Sequence, residues 1–229
     1  MAIIPEVNTP DAGTRDASVV TAARWEQGLA YADFLAQAPV NQDKLEAAYK
    51  SCPLTPEDVA FFKAAVALPH GPAKMMAIAE SWCPDVCREL PCAVRISESL
   101  GLPLKIFLRD QNPDIMDEFV SNNGKSRAMP VVVFYASGMK YITHFTERSK
   151  KANADLARNM DEVRAKLNLP ATANFGNLQG DERQAFIREL VGRLTPLAVE
   201  WQKATLQEIR QLLSIALNIP GALNIPNPA

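Results

Sequence analysis

The residues best suited to chemistry in this chain are two cysteines close together in the run Trp82-Cys83-Pro84-Asp85-Val86-Cys87. The run follows an apolar stretch, Lys74 to Ser81, that reads as a strand, and it opens a helical pattern from Pro84 to Leu100. A cysteine at a helix N-terminus faces the positive end of the macrodipole and unpaired backbone N–H groups. Both favour the thiolate, the form that attacks a disulfide. Cys83 is therefore the candidate nucleophile, and Cys87 is the candidate second thiol. A packing role for Cys87 stands beside the redox one, because Cys87 borders the apolar line of Val86, Leu90 and Val94. Asp85 suits an acid or base beside Cys83, and it equally suits a first helical turn, where the dipole favours a carboxylate. Cys52 and Cys92, the other two of four cysteines, show no evident partners and read as core or surface thiols.

The spacing of the pair has a geometric consequence. On an ideal helix, residues three apart have Cα atoms about 5.1 Å apart and residues four apart about 6.2 Å, near the upper end of the disulfide range. A Cys83 to Cys87 bridge then requires the first turn to open, or Cys83 to sit outside it. Such a bond is strained and easily reduced.

Around this run the hydrophobic period alternates between strand and helix from Pro72 to Leu167. Leu104, Ile106 and Leu108 alternate along a strand from Leu102 to Asp110. Asn112 is placed to cap a helix with Pro113 at its first position, and Pro130 to Ala136 and Met139 to Phe145 are strands around Gly138. Leu156, Met160, Val163 and Leu167 mark a closing helix. Upstream, residues to Asp16 read as an arm and Ser18 to Tyr49 as helical. Thr55, Pro56 and Asp58 read as a capping box that starts another helix. Downstream, one face stays apolar from Asp181 to Leu217, with Pro196 kinking the helix or beginning a second one capped by Thr195. Leu-Asn-Ile-Pro at 217 to 220 and again at 223 to 226 reads as a helix stop. The division expected is 1–71 as an arm and helices, 72–168 as the α/β core, and 169–229 as a helical extension.

With these landmarks in register, the stretch from Pro72 to Leu167 resembles the thioredoxin superfamily. Trp82-Cys83 closes the first strand, Pro91 lies eight residues after the cysteine, Met129-Pro130 begins a strand, and Gly138 marks the last turn. Leu108 to Asn112, Ile115 to Asp117, Gly124 and Ser126 to Pro130 are similar to a bacterial branch related to Trp-Cys-Gly-Asp proteins. The resemblance implies a three-layer core with a central mixed sheet, helices on both faces and helical additions at each end. It implies a thiol–disulfide oxidoreductase with Cys83 as nucleophile and Cys87 or an external thiol to resolve the mixed disulfide. Trp82, Pro84, Asp85, Met129 and Pro130 would line the substrate groove. In this family Pro130 is cis, and Met129 presents backbone to an incoming peptide. Two departures stand out: Val86 occupies the usual place of the second cysteine, and Ala77 occupies that of a buried acid six residues before the nucleophile.

Cys83 to Cys87 also looks like the pentapeptide of Sco-type copper chaperones, in which two thiolates and a histidine hold copper. Neither His70 nor His144 has the sequence context those proteins use, but Met129 could offer a thioether near Cys83, which keeps Cu(I) binding through Cys83 and Cys87 as an alternative reading. His144 reads as a hydrogen-bonded strand residue, and Glu80, Arg88 and Arg148 as ordinary solvated charges. No cofactor and no metal are expected. A third reading is a non-catalytic interaction module with structural cysteines.

Composition narrows the partners. The 229 residues carry 24 basic and 26 acidic side chains for a formal charge of −2. That balance disfavours nucleic acid. No apolar run approaches the roughly 18 residues a spanning helix needs. The start lacks an export pattern and four cysteines make no disulfide framework, so a cytoplasmic protein is expected. Residues 181–217 hold five basic and five acidic side chains, which argues against membrane binding. Their apolar face reads as a cover for the core, with a homodimer seam as the sharper option. Protein or small-molecule disulfides are the expected partners.

Overall fold

The computed structural model describes residues 18–121 and 124–219. The N-terminal arm and the second Leu-Asn-Ile-Pro lie outside the described residues. Four strands, β1 (Lys74–Ala79), β2 (Leu104–Leu108), β3 (Val131–Ala136) and β4 (Lys140–Thr146), form one mixed sheet in the order β2-β1-β3-β4. β1 runs parallel to β2 and antiparallel to β3, and β3 pairs antiparallel with β4. Because side chains alternate along a strand, β1 feeds two separate cores. Met75, Ala77 and Ala79 point to one face, and Met76 and Ile78 to the other. Burial on both faces, complete in β3 and in β1 after Lys74, explains why the two strands read as near-continuous apolar runs. The architecture is the expected three-layer α/β fold. Among the described residues no helix is long and apolar enough to cross a membrane.

The N-terminal helical pattern resolves into three short helices, α1 (Ala22–Trp25), α2 (Tyr31–Gln37) and α3 (Gln42–Ser51). The break after α1 has a steric cause. Leu29 exchanges two 2.8 Å backbone hydrogen bonds with Ile106, adding a bridge to the edge of β2. At Gly28 a Cβ would come within 2.8 Å of both Lys105 and Phe107, so only glycine allows this approach. α2 ends where Ala38 must be extended ahead of Pro39. The next helix, α4 (Pro56–Val66), begins with the expected capping box: Thr55 Oγ1 accepts from Asp58 N–H, and Asp58 accepts from Thr55 N–H.

The long helix α5 (Pro84–Leu100) follows β1 and carries Pro91 in its interior. After β2 and a 3-10 turn over Arg109–Gln111 comes α6 (Pro113–Asp117). Asn112 precedes it but makes no side-chain cap. Its Nδ2 donates to Leu108 O and its Oδ1 accepts from Arg24, because the turn and α1 take those atoms first.

The C-terminal third departs most from the sequence reading. α7 (Lys150–Lys166), capped by Ser149, is not the helix that closes the sheet layer. Leu156, Met160, Val163 and Leu167 pack instead against Phe186 and Leu190 of α8 (Gly180–Leu194). The sheet face is closed by α9 (Ala198–Leu217), which buries Leu206, Ile209, Leu213 and Leu217 with Met75, Val132, Phe134 and Phe145. Between α8 and α9 lies a 3-10 turn at Thr195–Leu197. Thr195 does not cap α9, because its hydroxyl donates back to Val191 O at 2.7 Å.

α9 is also bonded to α5 through polar groups away from water. Glu89, 1% exposed, accepts from Thr205 Oγ1 at 2.6 Å and pairs with Arg88 Nε at 2.6 Å. Arg88 stacks over the Trp201 ring at 4.5 Å, and Trp201 Nε1 donates to Asp155 at 2.9 Å. Gln202 Nε2 donates to Ala48 O and to Arg88 O, both at 3.0 Å. A buried carboxylate is tolerated only when paired and hydrogen-bonded in this way.

Thr205→Val keeps the shape and removes the donor to Glu89. It should cost about 1–3 kcal/mol of stability, read from the urea midpoint. A midpoint unchanged from wild type would show that the bond contributes nothing. Glu89 also couples folding to pH. Burial outweighs Arg88 and Thr205 and holds its carboxyl above the ordinary glutamate range. The stabilisation tied to the protonated form is present below the unfolded-state pKa and is lost as pH rises through the folded one. The E89Q chain should therefore gain stability relative to wild type as pH rises from the ordinary glutamate range toward neutrality. Parallel midpoint curves over that range would contradict it.

Candidate functional site

The site is built where β1 ends and α5 begins, beside the start of β3. Cys83 is the N-cap of α5 with extended backbone (φ −83°, ψ 121°), and Pro84 occupies the first helical position. Its sulfur lies 3.8 Å from the carbonyl oxygen of Met129, as a thiol donating weakly to that backbone. The Met129–Pro130 peptide bond is cis, and both residues are buried. Two elements distant in sequence thus meet at one sulfur, because antiparallel pairing of β1 with β3 sets Ile78 against Val131.

Cys87 faces a different backbone group. Its sulfur is 3.4 Å from Ser81 O, and its N–H donates to Cys83 O at 3.1 Å, so the first helical turn is closed across the pair. Each sulfur takes a backbone carbonyl as its hydrogen-bond partner rather than the other sulfur. All four cysteines are free thiols.

The electrostatics do not follow the helix dipole alone. The N–H groups of Val86 and Asp85 favour a Cys83 thiolate, as expected at a helix start. Burial outweighs them, and the nearby carboxylates of Asp85 and Glu147 act with burial. The net effect holds the Cys83 thiol above the ordinary cysteine range. Burial pushes Cys87 up to about 11, with the neighbouring Cys83 adding to the shift. In the resting protein at neutral pH, both are thiols.

Charged groups crowd the same helix end. Asp85 is held between Arg88 and Arg148, the latter at 3.4 Å, and Arg148 also pairs with Glu147. The side chains of Arg88 and Arg148 are only 15% and 16% exposed, so they are not the solvated charges their sequence context suggests. Burial pushes the Glu147 carboxyl up despite Arg148. Glu147 has positive φ, and its N–H donates to Pro130 O at 2.8 Å. Ala77, where the resemblance would put an acid, is buried beneath the cysteines in the same apolar cluster. The carboxyl with raised affinity for protons whose charge is felt at Cys83 is that of Glu147, in the loop after β4. No local signal marks Glu147, since it reaches the site only through the pairing of Val131 with Thr146.

The remaining predicted groove residues divide. Trp82 is 47% exposed, with Arg109 stacked over its ring at 4.9 Å. Pro84 is exposed and Asp85 half-buried. Trp82, Cys83, Pro84 and Asp85 thus share one helix start, and Met129 and Pro130 join them through the sheet. Arg109 also lines an open cleft with Asp110, Pro113, Met116 and Arg127, beside Trp82. Among the described residues no group of three or more His, Cys, Asp and Glu side chains is placed to hold a metal ion. His144 shares a 2.7 Å hydrogen bond with the Tyr141 hydroxyl and meets the Phe119 ring edge to face.

Known structures of similar fold include a protein of unknown function from Pseudomonas aeruginosa and an HIV epitope scaffold. The first is 13% identical with a TM-score of 0.54, covering 86% of this chain and 99% of its own. The second is 11% identical with a TM-score of 0.53, covering 85% of this chain and 98% of its own. At such identities they share the fold. No curated protein matches the sequence. A sequence family described as thioredoxin matches residues 28–163, more than half of the chain, and takes in both cysteines, the cis-proline and all four strands. On that match and this topology, the chain belongs to the thioredoxin family.

Proposed function

We propose that the chain is a thiol–disulfide oxidoreductase in which Cys83 is the nucleophile. The observation that carries this reading is the placement of the Cys83 sulfur at the start of α5, 3.8 Å from the Met129 carbonyl and next to the cis-proline. A disulfide approaching along the exposed Trp82 and Pro84 would meet that sulfur first. The Cys83 thiolate attacks one substrate sulfur, the substrate disulfide breaks, and the departing thiolate takes up a proton. A mixed disulfide remains on Cys83. Resolution follows in one of two ways: Cys87 attacks the Cys83 sulfur, releasing the second substrate thiol and leaving a Cys83–Cys87 disulfide that two external thiols reduce, or an external thiol attacks the substrate sulfur, freeing Cys83 and carrying the substrate away as a mixed disulfide. To act as the resolving group, Cys87 must first lose its proton and leave Ser81 O.

Proton removal from Cys83 is the demanding step, because burial and two carboxylates favour the thiol. Glu147, whose carboxyl burial pushes up and whose charge is felt at Cys83, is the group we assign to that task. The burial of both cysteines also favours a second reading, a thioredoxin-fold interaction module without turnover.

The two readings part on Cys83→Ser. That change should abolish reduction of a small disulfide by the chain with an external thiol donor, whereas Cys87→Ser should accumulate the mixed disulfide. Full activity in C83S would overturn the mechanism. The pH dependence supplies an independent measurement. Asp85→Asn removes a negative charge that disfavours the thiolate and frees Arg88 and Arg148 to face it. The pH profile of Cys83 alkylation should move down by on the order of one unit, giving ~10-fold faster labelling near neutral pH. A profile that stays in place would remove Asp85 from the site.

A further inference from the structure

The sulfur-to-sulfur hydrogen bond found in the described residues is not between Cys83 and Cys87. It joins Cys52, just after α3, to Cys92, in the middle of α5, at 3.8 Å. We propose that Cys52 and Cys92 are a second dithiol site, which takes small organic disulfides as substrate and closes to an intramolecular disulfide. This inference does not rest on the role given to Cys83.

The local surroundings set the order of steps. Cys92 is fully buried and Cys52 half-buried, so an external disulfide can reach only Cys52. Cys52 follows a helix C-terminus, where the macrodipole opposes a thiolate. The hydrogen bond shared with the Cys92 sulfur overcomes this, helped by the Leu54 N–H and the Arg95 guanidinium, and the Cys52 thiol is held below the ordinary cysteine range. The same bond and burial push Cys92 well above that range. Cys52 is the attacking thiolate and Cys92 the resolving thiol, an asymmetry that suits sequential exchange.

The Cys52 thiolate attacks one sulfur of the small disulfide and releases one thiolate. Cys92 then gives its proton to the departing group as its sulfur displaces the second thiolate from Cys52. Two protein thiols are oxidised and one small disulfide is reduced to two thiols. To bond, the sulfurs must approach by about 1.8 Å, from 3.8 Å to the length of a disulfide. The Cys52–Cys92 pair packs with Phe61, Phe62 and Met75, whereas Cys83 and Cys87 pack with Phe34, Leu45 and Met129, so the two pairs occupy separate clusters. The new bond ties the N-terminal helices to the centre of the helix that carries Cys83.

The test uses the full chain with C83S and C87S together, exposed under native conditions to oxidised glutathione, alongside wild type. Peptide mass mapping should find a Cys52 to Cys92 cross-link in both chains. The oxidised chain should melt higher by on the order of 5 °C or more, since the bond closes a long loop. Adding C92S should stop the reaction at glutathione bound to Cys52. The proposal is overturned if wild type, after the same exposure, retains both thiols, or holds glutathione on Cys52 with Cys92 still reduced. Neither result depends on whether Cys83 turns over substrate.

Discussion

Glu89 is a carboxyl group with almost no contact with water, and its satisfaction decides how the two ends of the chain meet the core. Such a group must find a cation and a donor or it destabilises the fold. Arg88 comes from its own helix, and Thr205 comes from α9. The pairing therefore specifies which helix covers α5. Once Thr205 is in place, Trp201 stacks under Arg88, Gln202 reaches both α3 and α5, and the apolar face of α9 lies on the sheet. α7, which precedes α9 in the chain, is left to pack with α8. The flanking helices are thus part of the layer that holds α5 and the cysteine at its start.

The same group of charges reaches the site. Arg88 contacts Glu89 on its buried side and Asp85 toward Cys83, while Arg148 joins Asp85 from the loop that also holds Glu147 to Pro130. Two cations are consumed by carboxylates, so little positive charge is left for a thiolate. The helix start alone would lower the Cys83 pKa, yet burial and the carboxylates win. Cys52, at the less favourable end of a helix, is shifted the other way by a neighbouring thiol and Arg95. Local geometry sets only one contribution to thiol acidity, and the surroundings set its sign.

Much of the architecture was legible before the structure. The strand and helix around Cys83 follow from an apolar run and a Cys-Pro step, and the α4 capping box from Thr55, Pro56 and Asp58. These are interactions within a few residues, which sequence spacing records directly. Less legible were the breaks between α1, α2 and α3, because Gly28 is required by a bridge to β2 rather than by its neighbours. Asn112 does not cap α6, nor Thr195 α9, for a related reason. A side chain that can cap a helix can also bond elsewhere, and here other backbone groups were closer.

The sequence by itself determined the three-layer fold, the thiol at a helix start and the proline that faces it. The alternating strands and helices and the thiol at a helix start depend on periodicity and on residues adjacent in the chain, whereas the facing proline was implied by the family resemblance and is brought to Cys83 by the pairing of β1 with β3. Tertiary structure alone decided that α9 rather than α7 closes the sheet, since both helices are amphipathic and only Thr205 matches the buried Glu89. It also brought Glu147 to Pro130 and Cys52 to Cys92, contacts made by strand register and helix packing across long separations. Such contacts leave no spacing in the sequence, because packing geometry rather than chain proximity puts the atoms within reach.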